Sequence, residues 1–186
     1  MATRGVIPAS LATGAVVLIL SGCGTSGCGT VSSSSAAAAN RAEVPTGFDP
    51  CMDIPQSILD PEGLQGKQVN DFQADAGKTL WHGCVWSDPD GYGATIQTTN
   101  LTIDAVRDKH FPGTHEYTIA GRKAIATDQS EQDPSEACTI NAEPRGGSLE
   151  FNLDNPASAP KTGRTNTCQL ARELAEKVVS IVPATV

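Results

Sequence analysis

The stretch "WHGCVW" (Trp81–Trp86) places an imidazole and a thiol two residues apart. In an extended strand, that spacing puts His82 and Cys84 on one face and Trp81, Gly83 and Val85 on the other. Together they could form a nucleophilic dyad, provided that the thiol is accessible and has a low pKa. An oxidised Cys84 is no nucleophile, and His82 is then a partly exposed strand residue; that is the expectation. "SDPDG" begins like a calcium loop, with Asp88 and Asp90. It lacks the next oxygen ligand and the closing glutamate, so a hairpin turn is predicted instead. "RGGS" sets Ser148 behind two glycines without the G-x-S-x-G elbow of a hydrolase, and it reads as a turn serine. His110 and His115 are further candidates for a base in a triad assembled at long range, but nothing in their spacing encodes one. No catalytic residue is assigned, and no metal or other cofactor is expected.

Cys84 and three other cysteines, Cys51, Cys138 and Cys168, lie far apart in the chain. Zinc sites and thioredoxin-like redox sites want close C-x-x-C pairs, and there are none. In an oxidising compartment two disulfides are the default, and four cysteines allow three pairings. Cys51–Cys84 with Cys138–Cys168 is the favoured set, because each bond then ties a short helix to a strand in its own half of the chain. Loops of this length contribute roughly 3–4 kcal/mol each when chain entropy is counted.

The compartment follows from the N-terminus. Arg4 precedes the apolar run "LATGAVVLIL", too short to span a bilayer and followed by small residues, as in a secretory signal peptide. "LSGC" (Leu20–Cys23) resembles the bacterial lipobox, in which the cysteine thiol takes a diacylglyceryl group and the chain is cut just before it. The pentapeptide "SGCGT" occurs twice in succession, but Cys28 follows "TSG" and lies beyond the apolar core, so Cys23 is the expected lipidation site. Acyl chains add ~0.8 kcal/mol of membrane affinity per buried methylene. Residues 1–22 are thus read as a lipoprotein signal peptide. Residues 23–47, rich in Ser, Ala, Gly and Thr, are read as the lipidated N-terminus and a flexible tether. Residues 48–186 form one domain of common size. Removing residues 1–22 takes away only Arg4 and leaves 12 basic against 21 acidic side chains, a net charge of −9. That balance argues against nucleic acid as a partner.

The domain reads as α+β. Asp49 is a plausible N-cap for a brief helix that Pro61 and Gly63 end. "KTLWHGCVWSD" and "GATIQTTNL" are strands joined through the turn "DPDGYG", and "TIDAVRDKH" is a short helix. "HEYTIAGRKAIATD" carries two strands around Gly121, and "ACTINAEPRGGSLEFNLD" is a hairpin turning at Pro144–Gly147. The acidic "DQSEQDPSEA" is a solvated loop. In "TNTCQLARELAEKVVSIVP", Leu170, Ala171, Leu174, Ala175, Val178, Ile181 and Val182 share one helical face, and Pro183 ends the helix. Consecutive hairpins with helices at both ends predict an antiparallel sheet with helices packed on one side.

"FDPC", "CVW", "IAGRKAI", "ACTINAE" and "TCQLARELAEKVVSIVP" resemble the successive motifs of an actinobacterial lipoprotein family of unknown function. The resemblance covers nearly the whole mature domain, and it gives Cys28 no place. It implies a lipid-anchored protein with paired cysteines on the outer face of the cytoplasmic membrane, and it supplies no catalytic residue. The expected role is a non-catalytic binding module of the cell envelope, with an envelope protein, wall polymer or lipid as ligand. Its candidate surface comprises Trp81, His82, Trp86 and Tyr92. The alternative is a hydrolase or transferase acting on envelope material, with His82 or His115 as base.

Overall fold

Strand alternation decides most of this structure. In the computed structural model, which describes residues 44–128 and 135–184, eight strands pair antiparallel throughout. They are β1 (Gln65–Val69), β2 (Phe72–Ala74), β3 (Thr79–Ser87), β4 (Gly93–Thr99), β5 (His115–Ile119), β6 (Arg122–Thr127), β7 (Ala137–Ala142) and β8 (Ser148–Asp154). The order across the sheet is β1-β3-β4-β8-β7-β6-β5, and β2 also pairs with β3, beside its N-terminal end. The expected signal peptide, Cys23, Cys28 and the expected tether up to residue 43, with residues 129–134 of the acidic loop, lie outside the described residues; residues 44–47, the end of that expected tether, are described, and Pro45 is buried.

Register divides the two faces of the sheet. Cys84 pairs with Ile96, Ile96 with Phe151, and Phe151 with Ile140. This row and the parallel row Trp86–Ala94–Leu153–Cys138 form the centre of the main core. Three helices cover it: α1 (Pro50–Asp53), α2 (Gln56–Leu59) and the C-terminal α4 (Thr167–Val179). The fourth, α3 (Ile103–Arg107), adds partial cover to the opposite face, where Ile103 and Val106 pack on Ile125. Ile125 points away from the main core because its neighbours Ala124 and Ala126 point into it.

The helix ends follow from local chemistry. Asp49 accepts a hydrogen bond from the Cys51 amide at 2.8 Å, and Pro50 occupies the first turn of α1. Asn166 caps α4 by accepting from the Gln169 amide at 3.0 Å. Thirteen residues free of glycine and proline follow, with Leu170, Ala171, Leu174, Ala175 and Val178 buried. Ile181 is the exception to the expected stripe: it is exposed because the helix has ended before it.

Both disulfides join a helix to the sheet. Cys51 of α1 is bonded to Cys84 of β3 with the Cα atoms 5.3 Å apart, and Cys168 of α4 to Cys138 of β7 with 5.1 Å. Cys84 is therefore unavailable as a nucleophile. Ser148 corrects another expectation: it opens β8 fully buried, accepting from Asn141 Nδ2, and is not a turn residue.

Peptide mapping without reduction should yield Cys51–Cys84 and Cys138–Cys168 fragments, and a Cys51–Cys138 fragment would overturn the fold's cross-bracing. Replacing Cys138 and Cys168 together by serine should lower stability by roughly 3–4 kcal/mol in urea unfolding, given the loop that the bond closes.

Candidate functional site

A groove of about 630 Å³ opens where the chain first joins the sheet. Val44, Pro45 and Phe48 form one wall, Asp71 and Phe72 another, and Leu80, Trp81 and His82 of β3 the floor. The break between β1 and β2 shapes it. Gln97 of β4 reaches over Gly83 and donates to the Asn70 carbonyl, which holds the chain at the break. A Cβ at Gly83 would stand 2.7 Å from the Gln97 Cα and 2.2 Å from the Ile96 carbonyl oxygen, so only glycine allows this approach.

The break then delivers Asp71 to β3. Its carboxylate accepts from the Gly83 amide at 3.3 Å and lies 2.7 Å from His82 Nδ1. A carboxylate can only accept there, so the contact places a proton on Nδ1 and leaves Nε2 as the acceptor of the neutral ring. Phe72 pairs with Trp81 across the strands, ring centroids 5.3 Å apart, yet remains 59% exposed. Leu80 is also exposed.

This arrangement can bind an apolar group and offer one oriented imidazole at its rim. A carboxylate–imidazole pair also orients the base in acyl-transfer sites, but there a hydroxyl or thiol meets the second nitrogen. Among the described residues no hydroxyl or thiol is seen to hydrogen-bond to the His82 imidazole, the Thr98 hydroxyl donates instead to the His82 backbone carbonyl at 3.1 Å, and the sulfur two residues away is locked in a disulfide. His115 stacks near Tyr117 at the β5 edge, away from this pair in the sheet order.

Of the four residues expected to form a surface, the structure brings Trp81 and His82 to the groove. Trp86 and Tyr92 are corrected: they are 2% and 1% exposed and belong to the main core. Trp86 shares the face of Cys84, and the disulfide draws α1 over that face. His82 lies on the same face but nearer the N-terminal end of β3, where it stays half exposed. The Tyr92 hydroxyl donates to Glu62 at 2.8 Å, and burial, followed by the Glu62 carboxylate, pushes its pKa far up. Asp71 and Phe72 had no sequence signal, because "GKQVNDFQ" has neither helical nor strand periodicity, and Leu80 lay in the strand-like "KTLWHGCVWSD" without being singled out.

The supposed calcium aspartates are structural. Asp88 is almost wholly buried, accepts from the Asp90 amide at 3.0 Å and pairs with Lys161 at 2.9 Å. These two contacts, the backbone one first, outweigh burial and hold its pKa below the ordinary range. The pair ties the β3–β4 turn to the loop before α4. No group of three His, Cys, Asp or Glu side chains that could hold a metal ion occurs among the described residues.

With this geometry, the chain matches the family model described as "Protein of unknown function (DUF3558)" over residues 18–180. The chain belongs to that family. No curated protein and no solved structure matches it. The DUF3558 match starts upstream of "LSGC" and runs through the groove, both disulfides and α4. Among the described residues no helix is long and apolar enough to cross a membrane.

Because the folded state lowers the Asp88 pKa, its contribution to stability is present above the unfolded value near 3.8 and disappears as pH falls through the lower folded value. Asp88→Asn should therefore lower the melting temperature at neutral pH and flatten its decline in acid, as followed by circular dichroism. A variant with an unchanged acid profile would remove Asp88 from the clamp.

Proposed function

We propose that this protein is a non-catalytic binding module of the bacterial cell envelope, lipid-anchored through Cys23 on the outer face of the cytoplasmic membrane. We also propose that its DUF3558 relatives include the actinobacterial lipoproteins whose motifs it resembles. The ligand in this reading is an apolar, non-anionic segment of an envelope component, a lipid chain or an apolar stretch of protein, seated in the groove over Phe72 and Leu80.

The observation that carries the reading is the exposed apolar lining itself. Phe72 and Leu80 stay open to water in the groove, and Met52 and Val69 are exposed in α1 and β1, the elements that run on from Asp49 and into Asp71 of its wall. Covering such side chains is favourable by ~25 cal/mol per Å² removed from water. Asp49 and Asp71 at the rim disfavour an anionic ligand. The anchor is supported by "LSGC" at the end of an apolar run and by a family match that takes in those residues. Val44, in the groove wall, stands 21 residues from Cys23, and that much chain spans at most ~70 Å when extended. A ligand in or near the membrane is therefore within reach.

The second reading, a hydrolase or transferase acting on envelope material, is favoured by the His82–Asp71 contact. It requires an attacking group from the substrate or water, since no described hydroxyl completes the pair.

A photo-crosslinking residue at position 80 of the membrane-anchored protein should capture one stoichiometric envelope component, and Phe72→Asp should abolish capture. If nothing is captured and His82→Ala stops turnover of a wall component, the catalytic reading replaces this one. Cys23→Ala should move the protein to the aqueous phase in Triton X-114 partitioning, and retention in detergent would refute the anchor.

A further inference from the structure

The sheet's second face holds a feature that the groove does not use. Gly83, Gln97, Glu150, Asn141 and Ile125 form one row across β3, β4, β8, β7 and β6. In this row Glu150 is 9% exposed and has no cationic partner among the described ion pairs. A cavity of about 230 Å³ lies against it, between the sheet and α3. Trp81 and Phe111 contribute aromatic surface to the lining, while Asp75 and Lys109 supply its other charges.

We propose that this cavity is a binding site for a small organic cation, an ammonium group held by the Glu150 carboxylate against Trp81 and Phe111. The hydrogen bonds of Glu150 are one-sided. Trp81 Nε1–H at 3.2 Å and Asn141 Nδ2–H at 3.0 Å both donate to Oε2, and no described group donates to Oε1. Asn141 is fully buried beside it, and its own Oδ1 has no partner. The protein thus fixes the carboxyl from one side and leaves one oxygen without a donor in a residue that lines the cavity.

A cation is the chemistry that completes such a site. A buried carboxylate without a counter-charge is costly, and a cation against aromatic faces in a partly desolvated space gains from both. The volume suits a compact alkylammonium group. A metal ion is less suited, because no set of three ligating side chains gathers there among the described residues. Burial raises the Glu150 pKa, and the two donors only partly offset it. Cation binding is therefore coupled to proton release and strengthens as pH rises toward that raised value. Of the charged groups lining the cavity, Asp75 reinforces the cation and Lys109 opposes it. Lys109 sits exposed just after α3, where its side chain can extend into solvent.

The test uses the mature protein with choline as the probe and 3,3-dimethylbutanol as its uncharged isostere. Trp81 is one of two tryptophans, so its fluorescence should report saturable choline binding, with Trp86→Phe removing the other signal. The isostere should bind at least about tenfold more weakly, Glu150→Gln should weaken choline by a similar factor, and Lys109→Met should strengthen it. Affinity should also rise with pH in the wild type and not in Glu150→Gln. Equal binding of choline and its isostere, or the absence of saturable binding, overturns the proposal whether or not Glu150→Gln folds. Val44→Asp, in the groove wall and not in the cavity lining, should leave choline binding unchanged, so the two sites fail or stand separately.

Discussion

Two helix-to-sheet disulfides, both on the same face, govern how this sheet is used. Cys84 and Cys138 project from β3 and β7 into one core, and their partners Cys51 and Cys168 bring α1 and α4 down onto it. Once that face is sealed, Trp86, two residues on from Cys84 along β3, is committed to the interior, while His82, two residues back, stays half exposed. Residues of odd number on β3 are left to the other side, and so are the even-numbered residues of β8 such as Glu150. The two candidate binding surfaces lie where this sealing stops, at the N-terminal end of β3 and under the short α3.

Trp81 belongs to both places. Its ring meets Phe72 in the groove, and its indole N–H donates to Glu150 in the opposite cavity. A strand residue can serve both because Trp81 lines the groove and the cavity alike, on β3 beside the split edge formed by β1 and β2. The break at Asn70–Asp71 is equally economical. Gln97 holds it through the Asn70 carbonyl, and the next residue supplies the carboxylate that orients His82. Gly83 is the residue that permits this crossing.

Much of the fold was legible because it is written in local periodicity. The hairpins β3–β4, β5–β6 and β7–β8 showed as alternating runs around turn residues, and α4 showed as a long apolar stripe ended by Pro183. The pairing of cysteines followed from which half of the chain each helix and strand occupied. The strands β1 and β2 were not legible, because an edge strand open to water on both faces needs no alternation, and "GKQVNDFQ" shows none. Tyr92 misled for a different reason. It sits in a polar turn sequence, and only the packing of Glu62 from an earlier segment draws its ring inside.

The amino-acid order by itself determined the strands β3 to β8, the helical segments, the face of α4 that is buried and the chemical types available at the surface, since each depends on neighbours a few residues apart. It also carries the lipobox-like "LSGC", a short linear motif that needs no fold to be read. Tertiary structure alone decided that Asp71 meets His82, that Trp81 and His82 are open while Trp86 and Tyr92 are closed, and that Glu150 is buried without a counter-charge. Those outcomes depend on segments 10 to 70 residues apart arriving at the same place. No local pattern encodes such meetings, because burial is a property of what lies above a side chain and not of the residues beside it.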